Sequence, residues 1–246
     1  MAVKILAIAA FGCFVTFPGF SSAGPNEAMV RFVNGMPGET ATLSLGGAPV
    51  FSNIGYAAVS SYQPVSVKNQ NFTLFAPASG NNAPPIASAN KGLDTGKYYT
   101  VVAALTSNGG RTLQILEDNT DTPTNGKAKV RIINASADEV NVIAPENPSG
   151  SGNAARNANK AYKWFSGVSQ ASATDYKEVY PLNGTLVIER TGSQSGNTTQ
   201  YSGEQPKTLA PMVQVPVQFQ ANSKPYTIIV MGGTAKYPLK ATIVQD

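Results

Sequence analysis

Val30-Arg31-Phe32-Val33-Asn34 returns as Val130-Arg131-Ile132-Ile133-Asn134, a shift of 100 residues. Working outward from that pair, Phe51-Ser52-Asn53-Ile54 returns as Phe165-Ser166-Gly167-Val168, and Ser61-Tyr62 through Val65 as Asp175-Tyr176 through Val179, both shifted by 114. Thr73-Leu74 then matches Thr185-Leu186, Tyr99-Thr100-Val101-Val102 matches Tyr226-Thr227-Ile228-Ile229, and Ile115 to Asp118 matches Ile243 to Asp246. Matches that keep one order along the chain define a repeated unit. The growing shift puts longer insertions in the second copy, at 145–160 and 191–211.

Each copy reads as short strands rich in β-branched and aromatic residues, separated by Gly, Pro and Asn clusters. In the first copy these are Val30–Val33, Thr40–Leu45, Pro49–Phe51, Ala58–Val67, Phe72–Phe75, Tyr98–Leu105 and Thr112–Leu116. About seven strands per copy predicts an all-β chain of two tandem immunoglobulin-like β-sandwich domains, residues 24–118 and 127–246. Asn119 to Gly126, with Pro123 inside it, reads as the linker. No segment sustains a 3.6-residue apolar period; the best candidate, Asn153 to Tyr162, is too polar to bury a face.

The start of the chain predicts export. Lys4 is followed by an apolar run from Ile5 to Phe17 and by Ser21-Ser22-Ala23, the pattern of a signal peptide cut between Ala23 and Gly24. The run is shorter than the roughly 20 residues a spanning helix needs, which disfavours an uncleaved anchor. Localisation in the periplasm or outside the cell follows, with no transmembrane anchor after cleavage. Cys13, the only cysteine, lies inside the run, so the mature chain has no disulfide and no thiolate metal ligand. Gly12 before Cys13 leaves a lipoprotein signal as the alternative, against which Phe11 and the apolar Phe14-Val15 stand.

Composition narrows the chemistry further. The chain has no histidine, which excludes Ser-His-Asp and Cys-His catalysis and histidine-ligated zinc. Without Lys4 there remain 17 basic against 14 acidic residues, with no basic run, so no nucleic-acid partner is expected. Glu117, Asp118 and Asp121 cluster at the end of the first unit, but no Asp-x-Asp-x-Asp-Gly loop preorganises them for calcium, and they read as a solvated strand end. Asp138-Glu139 are read as strand neighbours pointing to opposite faces, which cannot serve as an acid–base dyad. Glu189 is the one acid in a strongly apolar strand, followed by Arg190 and without a second carboxylate nearby in sequence. A hydrolase without His or Cys would need a carboxylate pair at roughly 5–9.5 Å or a Ser-Lys couple, so the expectation is a non-enzymatic protein with no cofactor and no metal.

The residues that remain are candidates for an interaction surface. Arg31 and Arg131 sit at matching positions, and alternation turns them away from the face of Val30 and Phe32, toward pairing with the acids that close the last strands, Glu117 or Asp118 and Asp246. Trp164, the only tryptophan, stands between Tyr162-Lys163 and Phe165, with apolar side chains on both strand faces, one to be covered by the neighbouring domain or a loop. The polar loops 77–92 and 191–211, the latter carrying Tyr201, follow matching strands and so occupy the same corner of each copy; 147–160 is a third. Their Asn, Ser, Gly, Thr and Gln content suits hydrogen bonding to carbohydrate and suits flexible connections equally. Asn-x-Ser/Thr triplets at Asn71, Asn134, Asn183 and Asn197 carry little weight, because the short leader looks bacterial.

Leu116-Glu117-Asp118-Asn119, a Pro-containing turn, and Gly126-Lys127-Ala128-Lys129-Val130-Arg131-Ile132-Ile133-Asn134-Ala135-Ser136 resemble the junction between tandem copies in the bacterial exported family catalogued as domain of unknown function 4397. Gly96-Lys97-Tyr98-Tyr99-Thr100-Val101-Val102 is similar to that family's penultimate strand, while its usual Ser-Pro-Asp-Ala is altered here to Met36-Pro37-Gly38-Glu39 and Ala137-Asp138-Glu139. The resemblance implies tandem sandwiches and carries no catalytic residues. The two-sandwich plan with its Tyr98-Tyr99-Thr100 strand also resembles the periplasmic accessory proteins of alginate O-acetylation. That second resemblance implies an adaptor whose partners are other envelope proteins or polysaccharide. A secreted or surface structural module that binds carbohydrate or associates with itself is the other expectation.

Overall fold

The structure is a computed structural model that describes residues 23–76, 84–145, 161–191 and 212–246. The expected leader with Cys13, the loop 147–160, and Tyr201 with nearly all of 191–211 lie outside the described residues, as do 77–83 of the first polar loop. The described residues are all β, without a helix, and hence without one long and apolar enough to cross a membrane.

Among the described residues seventeen strands form four sheets. In the first half of the chain β1 (Glu27–Asn34), β4 (Gln63–Ser66), β7 (Tyr98–Leu105) and β8 (Arg111–Asp118) make a sheet in the order β4-β1-β7-β8. Facing it is β3-β2-β5-β6, from β2 (Ala41–Leu45), β3 (Ala48–Ile54), β5 (Asn69–Phe75) and β6 (Ala87–Gly92). The second half repeats the plan. One sheet joins β9 (Ala128–Ser136), β16 (Tyr226–Gly232) and β17 (Lys240–Gln245), with β12 (Ser172–Ala173) and β13 (Lys177–Val179) along the other side of β9. The second sheet is β11-β10-β14-β15, from β10 (Val140–Pro145), β11 (Ala161–Val168), β14 (Leu182–Arg190) and β15 (Met212–Phe219). Each half is thus a two-sheet sandwich, with β1 parallel to β7 and β9 parallel to β16 at equivalent registers.

Local chemistry repeats along with topology. Asn34 and Asn134 are fully buried at the ends of β1 and β9. Asn34 donates to the Glu39 and Ile54 carbonyls, both at 2.8 Å, and accepts from the Met36 N–H; Asn134 donates to Asp138 and Val168 at 2.7 and 2.8 Å and accepts from the Ser136 N–H. Each amide replaces the ladder where the chain leaves the strand, which satisfies groups that burial would otherwise strand. The Asn134 side chain is therefore no sugar acceptor. Near the start of β7 and β16 the Tyr99 and Tyr226 hydroxyls accept the Asp94 and Gln220 N–H groups at 3.0 and 3.2 Å, fixing the preceding turn in both halves.

Four sequence expectations are corrected. The loop read over 77–92 ends in β6, an edge strand with mostly exposed side chains. The strand read over 58–67 is only β4; Val59 contributes an isolated bridge to Val33, the counterpart of the Ala173–Ile133 pair of β12. Asp138 and Glu139 lie in the connection before β10 and not in a strand. Trp164 and Phe165 do not face opposite layers: register slips on both sides of the Val142–Phe165 pair, and both side chains pack on the core of their own half. The same slips flank Leu43–Phe51, so Val50 and Phe51 do likewise, with Asn53 and Gly167 at the matching positive φ of 54° and 62°.

Three apolar clusters follow from this plan. Each half has its own core, built on Val30, Phe32, Leu43, Phe72, Tyr99 and Val101 in the first and on Val130, Ile132, Val142, Leu186, Ile188 and Ile228 in the second. The third cluster lies between the halves, where the sheets holding β1 and β9 meet. Both faces of β1, β7, β9 and β16 are therefore covered, which is why these strands read as nearly continuous apolar runs and not as alternation.

Candidate functional site

The polar centre of the molecule lies in that third layer. Alternation along β1 sends Val30 and Phe32 into the first core and leaves Arg31 and Val33 facing the other half; along β9 it does the same for Arg131 and Ile133. Both arginines are only 3% exposed. Arg31 Nε donates to Thr100 Oγ1 at 2.8 Å, and Arg131 Nε donates to Thr227 Oγ1 at 2.9 Å. The threonine hydroxyls pass the contact on to the carboxylate of their own half, Thr100 to Asp118 at 2.7 Å and Thr227 to Asp246 at 2.6 Å. Tyr62 and Tyr176 donate to the same carboxylates at 2.7 and 2.5 Å.

The guanidinium tips cross over. Arg31 Nη2 donates to Asp246, and Arg131 Nη2 donates to Asp118, so each arginine neutralises the aspartate of the opposite half. Arg31 also approaches Asp118 at 4.0 Å, and Arg131 donates to the Glu117 carbonyl at 3.2 Å. The planar groups stack on tyrosine, Arg31 4.8 Å from the Tyr62 ring centre and Arg131 4.7 Å from that of Tyr176. The arginines do pair with the terminal aspartates, as their matching positions in the sequence predict, but each with that of the opposite half.

Electrostatically the cluster is closed. Two guanidinium groups face two carboxylates, and each carboxylate takes hydrogen bonds from a threonine, a tyrosine and an arginine. Burial pushes the Tyr62 phenol far above the ordinary tyrosine range, with Asp118 and Asp246 adding to the effect against Arg31. Burial does the same to Tyr176, reinforced by Asp246 and opposed by Arg131. Burial alone would lower Arg31, but Tyr62, Asp118 and Asp246 outweigh it and leave the group more firmly cationic than in water. Such an arrangement holds two bodies together; its polar groups are occupied by one another.

Around the cluster the apolar contacts pair off as well. Val33, Val102 and Ala104 of the first half meet Ile133, Ile229 and Met231 of the second, and Leu116 and Val244 flank them. The halves meet tightly at Gly35, where a Cβ would lie 2.5 Å from the Ala135 Cβ of the second half and 2.9 Å from the Ala103 carbonyl oxygen of its own half. Arg31 and Arg131 lie together at Asp118 while Gly35 lies at Ala135, so β1 and β9 run side by side in the same direction. The last residues of β5 and β14, Phe75 and Arg190, therefore lie at one end of the molecule, and the linker 119–126 lies at the other.

The remaining candidates do not join this centre. The solvated strand end expected of Glu117, Asp118 and Asp121 holds for Glu117, which is exposed and pairs with Lys97 at 3.0 Å, and for exposed Asp121, but not for Asp118, which is buried in the centre. Asp138 pairs with Arg190 at 2.6 Å, burial holding its carboxyl above the usual range against the pull of that guanidinium. Glu189 accepts from Asn141 Nδ2 at 3.2 Å. Among the described residues no group of three or more acidic or cysteine side chains is arranged to hold a metal. Trp164 is half-buried, 5.9 Å from the Phe219 ring centre. Of Tyr162 only its place in β11 is described. Arg31 and Arg131 are thus internal, not part of an outward surface. Tyr62, Tyr176, Thr100 and Thr227 were missed as members of the centre, although each falls within a repeated pair that the sequence displays.

No curated protein matches the chain. The family comparison does give a match, and it runs past the linker: residues 28–144, which hold Arg31, Thr100, Asp118 and Arg131 together with β9 and nearly all of β10, match the family described as Domain of unknown function (DUF4397).

Proposed function

We propose that this is an exported, non-enzymatic adaptor built from two copies of that family's unit, serving the modification or assembly of an envelope polysaccharide of the alginate O-acetylation type. The observation that carries the reading is the exchanged ion cluster. It fixes the two halves so that β5 and β14, the strands that the two long polar stretches of sequence follow, both end at one side of a single body. Paired loops on a rigid support are a common form of recognition surface, and the chemistry is left to partners. Pull-down from envelope extracts in mild detergent tests it. The full chain should recover a membrane acyltransferase or polysaccharide synthase, and replacing 192–210 by a short Gly-Ser connection should abolish recovery with folding intact. Recovery of no envelope enzyme would end this reading.

A secreted structural module is the second reading, favoured by β6. That edge strand is mostly exposed and offers unpaired backbone groups to another chain. Binding on a glycan array, or concentration-dependent mass abolished by a proline at Ala89, would favour it.

A further inference from the structure

The contacts between the halves come in reciprocal pairs. Arg31–Asp246 is matched by Arg131–Asp118, Thr100 by Thr227, Tyr62 by Tyr176, and Val33, Val102 and Leu116 by Ile133, Ile229 and Val244. This is the pattern of a two-fold interface, in which one patch meets its own copy. Here the two patches are joined by a linker of eight residues. We infer that the face carrying Arg31 and Asp118 is a self-complementary pairing surface, which takes the same face of a second copy of this chain when its tethered partner is withdrawn.

The geometry makes this specific to the first half. In a pair of first halves each Arg31 meets the other copy's Asp118, and Gly35 meets Gly35. The second half cannot pair with itself in this way: the Gly35 position has no room for a Cβ beside Ala135, so Ala135 would collide with Ala135. Met231 stands where the first half has Ala104, so a pair of first halves lacks one large side chain and packs less fully than the tethered pair. The linker adds its effective concentration to that preference. The wild-type chain therefore closes on itself.

Exchanging charges within one half tests the inference in the full chain. In Arg131→Asp/Asp246→Arg, like charges face each other within the chain, at 31 with 246 and at 131 with 118, while Arg31 and Asp118 still fit a second copy. Light scattering should give a discrete species of twice the wild-type mass. Adding Arg31→Asp/Asp118→Arg restores opposite charges within the chain and should return the mass to the wild-type value. A folded two-site variant with the wild-type mass would overturn the inference. Should that variant not fold, the wild-type chain with a protease site inserted between Asn119 and Gly126 decides the matter. Cut, resolved into its two fragments in urea, with each fragment refolded alone and examined by native mass spectrometry, it should yield paired first-half fragments and no paired second-half fragments. Folded first-half fragments that stay single at every concentration would overturn the inference.

Discussion

Arg31 and Asp246 stand 215 residues apart in sequence and share a buried hydrogen bond that joins the first strand of one half to the end of the last strand of the other. Its reciprocal partner, Arg131 with Asp118, closes the cluster. A buried ion pair replaced whole by apolar groups is often neutral, whereas removing one member strands a charge and costs about 3–5 kcal/mol. Arg131→Ala should therefore lower stability by roughly that amount in urea titration. Replacing Arg31, Arg131, Asp118 and Asp246 together by Met and Leu should cost far less than the sum of the single changes.

Alkaline titration gives a second expectation. Tyr62 and Tyr176 have their ionisation pushed upward by burial, so the folded state holds two protons that the unfolded chain releases above its ordinary tyrosine value near 10.0. With fewer protons bound in the unfolded state, stability is complete below that value and falls as pH rises past it. Denaturation followed from pH 8 upward should show this loss, and Tyr62→Phe/Tyr176→Phe should flatten the slope.

Close approach at Gly35 predicts a sharp contrast between glycines. Gly35→Ala places a Cβ against Ala135 and the Ala103 carbonyl and should destabilise by about 1–3 kcal/mol, as overpacking does. Gly55→Ala, where a Cβ meets nothing within 4 Å, should leave the melting temperature nearly unchanged.

Asn34 and Asn134 should be equally intolerant. Asn34→Ala leaves the Glu39 and Ile54 carbonyls without their donor, at about 1–3 kcal/mol for buried groups left unpaired. Asn34→Asp should be no better, since it turns an acceptor toward two carbonyls. By contrast Glu189→Gln should leave stability and partner recovery unchanged, and the purified chain should not turn over acetylated or glycosidic substrates.

Much of this was legible because the repeat writes each element twice. The strands β1, β7, β9 and β16 carry dense runs of Val, Ile, Phe and Tyr, and the matched arginines sat between apolar neighbours with terminal acids in reach. Strand β6 was not legible. Ala87-Ser88-Ala89-Asn90-Lys91-Gly92 has no β-branched or aromatic residue, and its strand form comes from pairing with β5 at an exposed edge. The shared orientation of Trp164 and Phe165 was hidden by a bulge, which breaks the period of two that such readings assume. The exchange of partners between Arg31 and Arg131 was hidden for a different reason. Within one copy the arginine and the aspartate match equally well, and only the meeting of two sheets decides which carboxylate each guanidinium reaches.

The central claim is that the exchanged cluster makes one body of the two halves, and urea unfolding read by two probes tests it most directly. Trp164, the only tryptophan, packs beside Phe219 and reports on the second half alone, whereas the far-ultraviolet circular dichroism of the strands reports on both. The two curves should coincide in the wild-type chain, as one cooperative transition requires, and should separate in Arg31→Met/Arg131→Met. A wild-type protein in which the Trp164 signal moves at a different urea concentration from the circular dichroism would contradict the account.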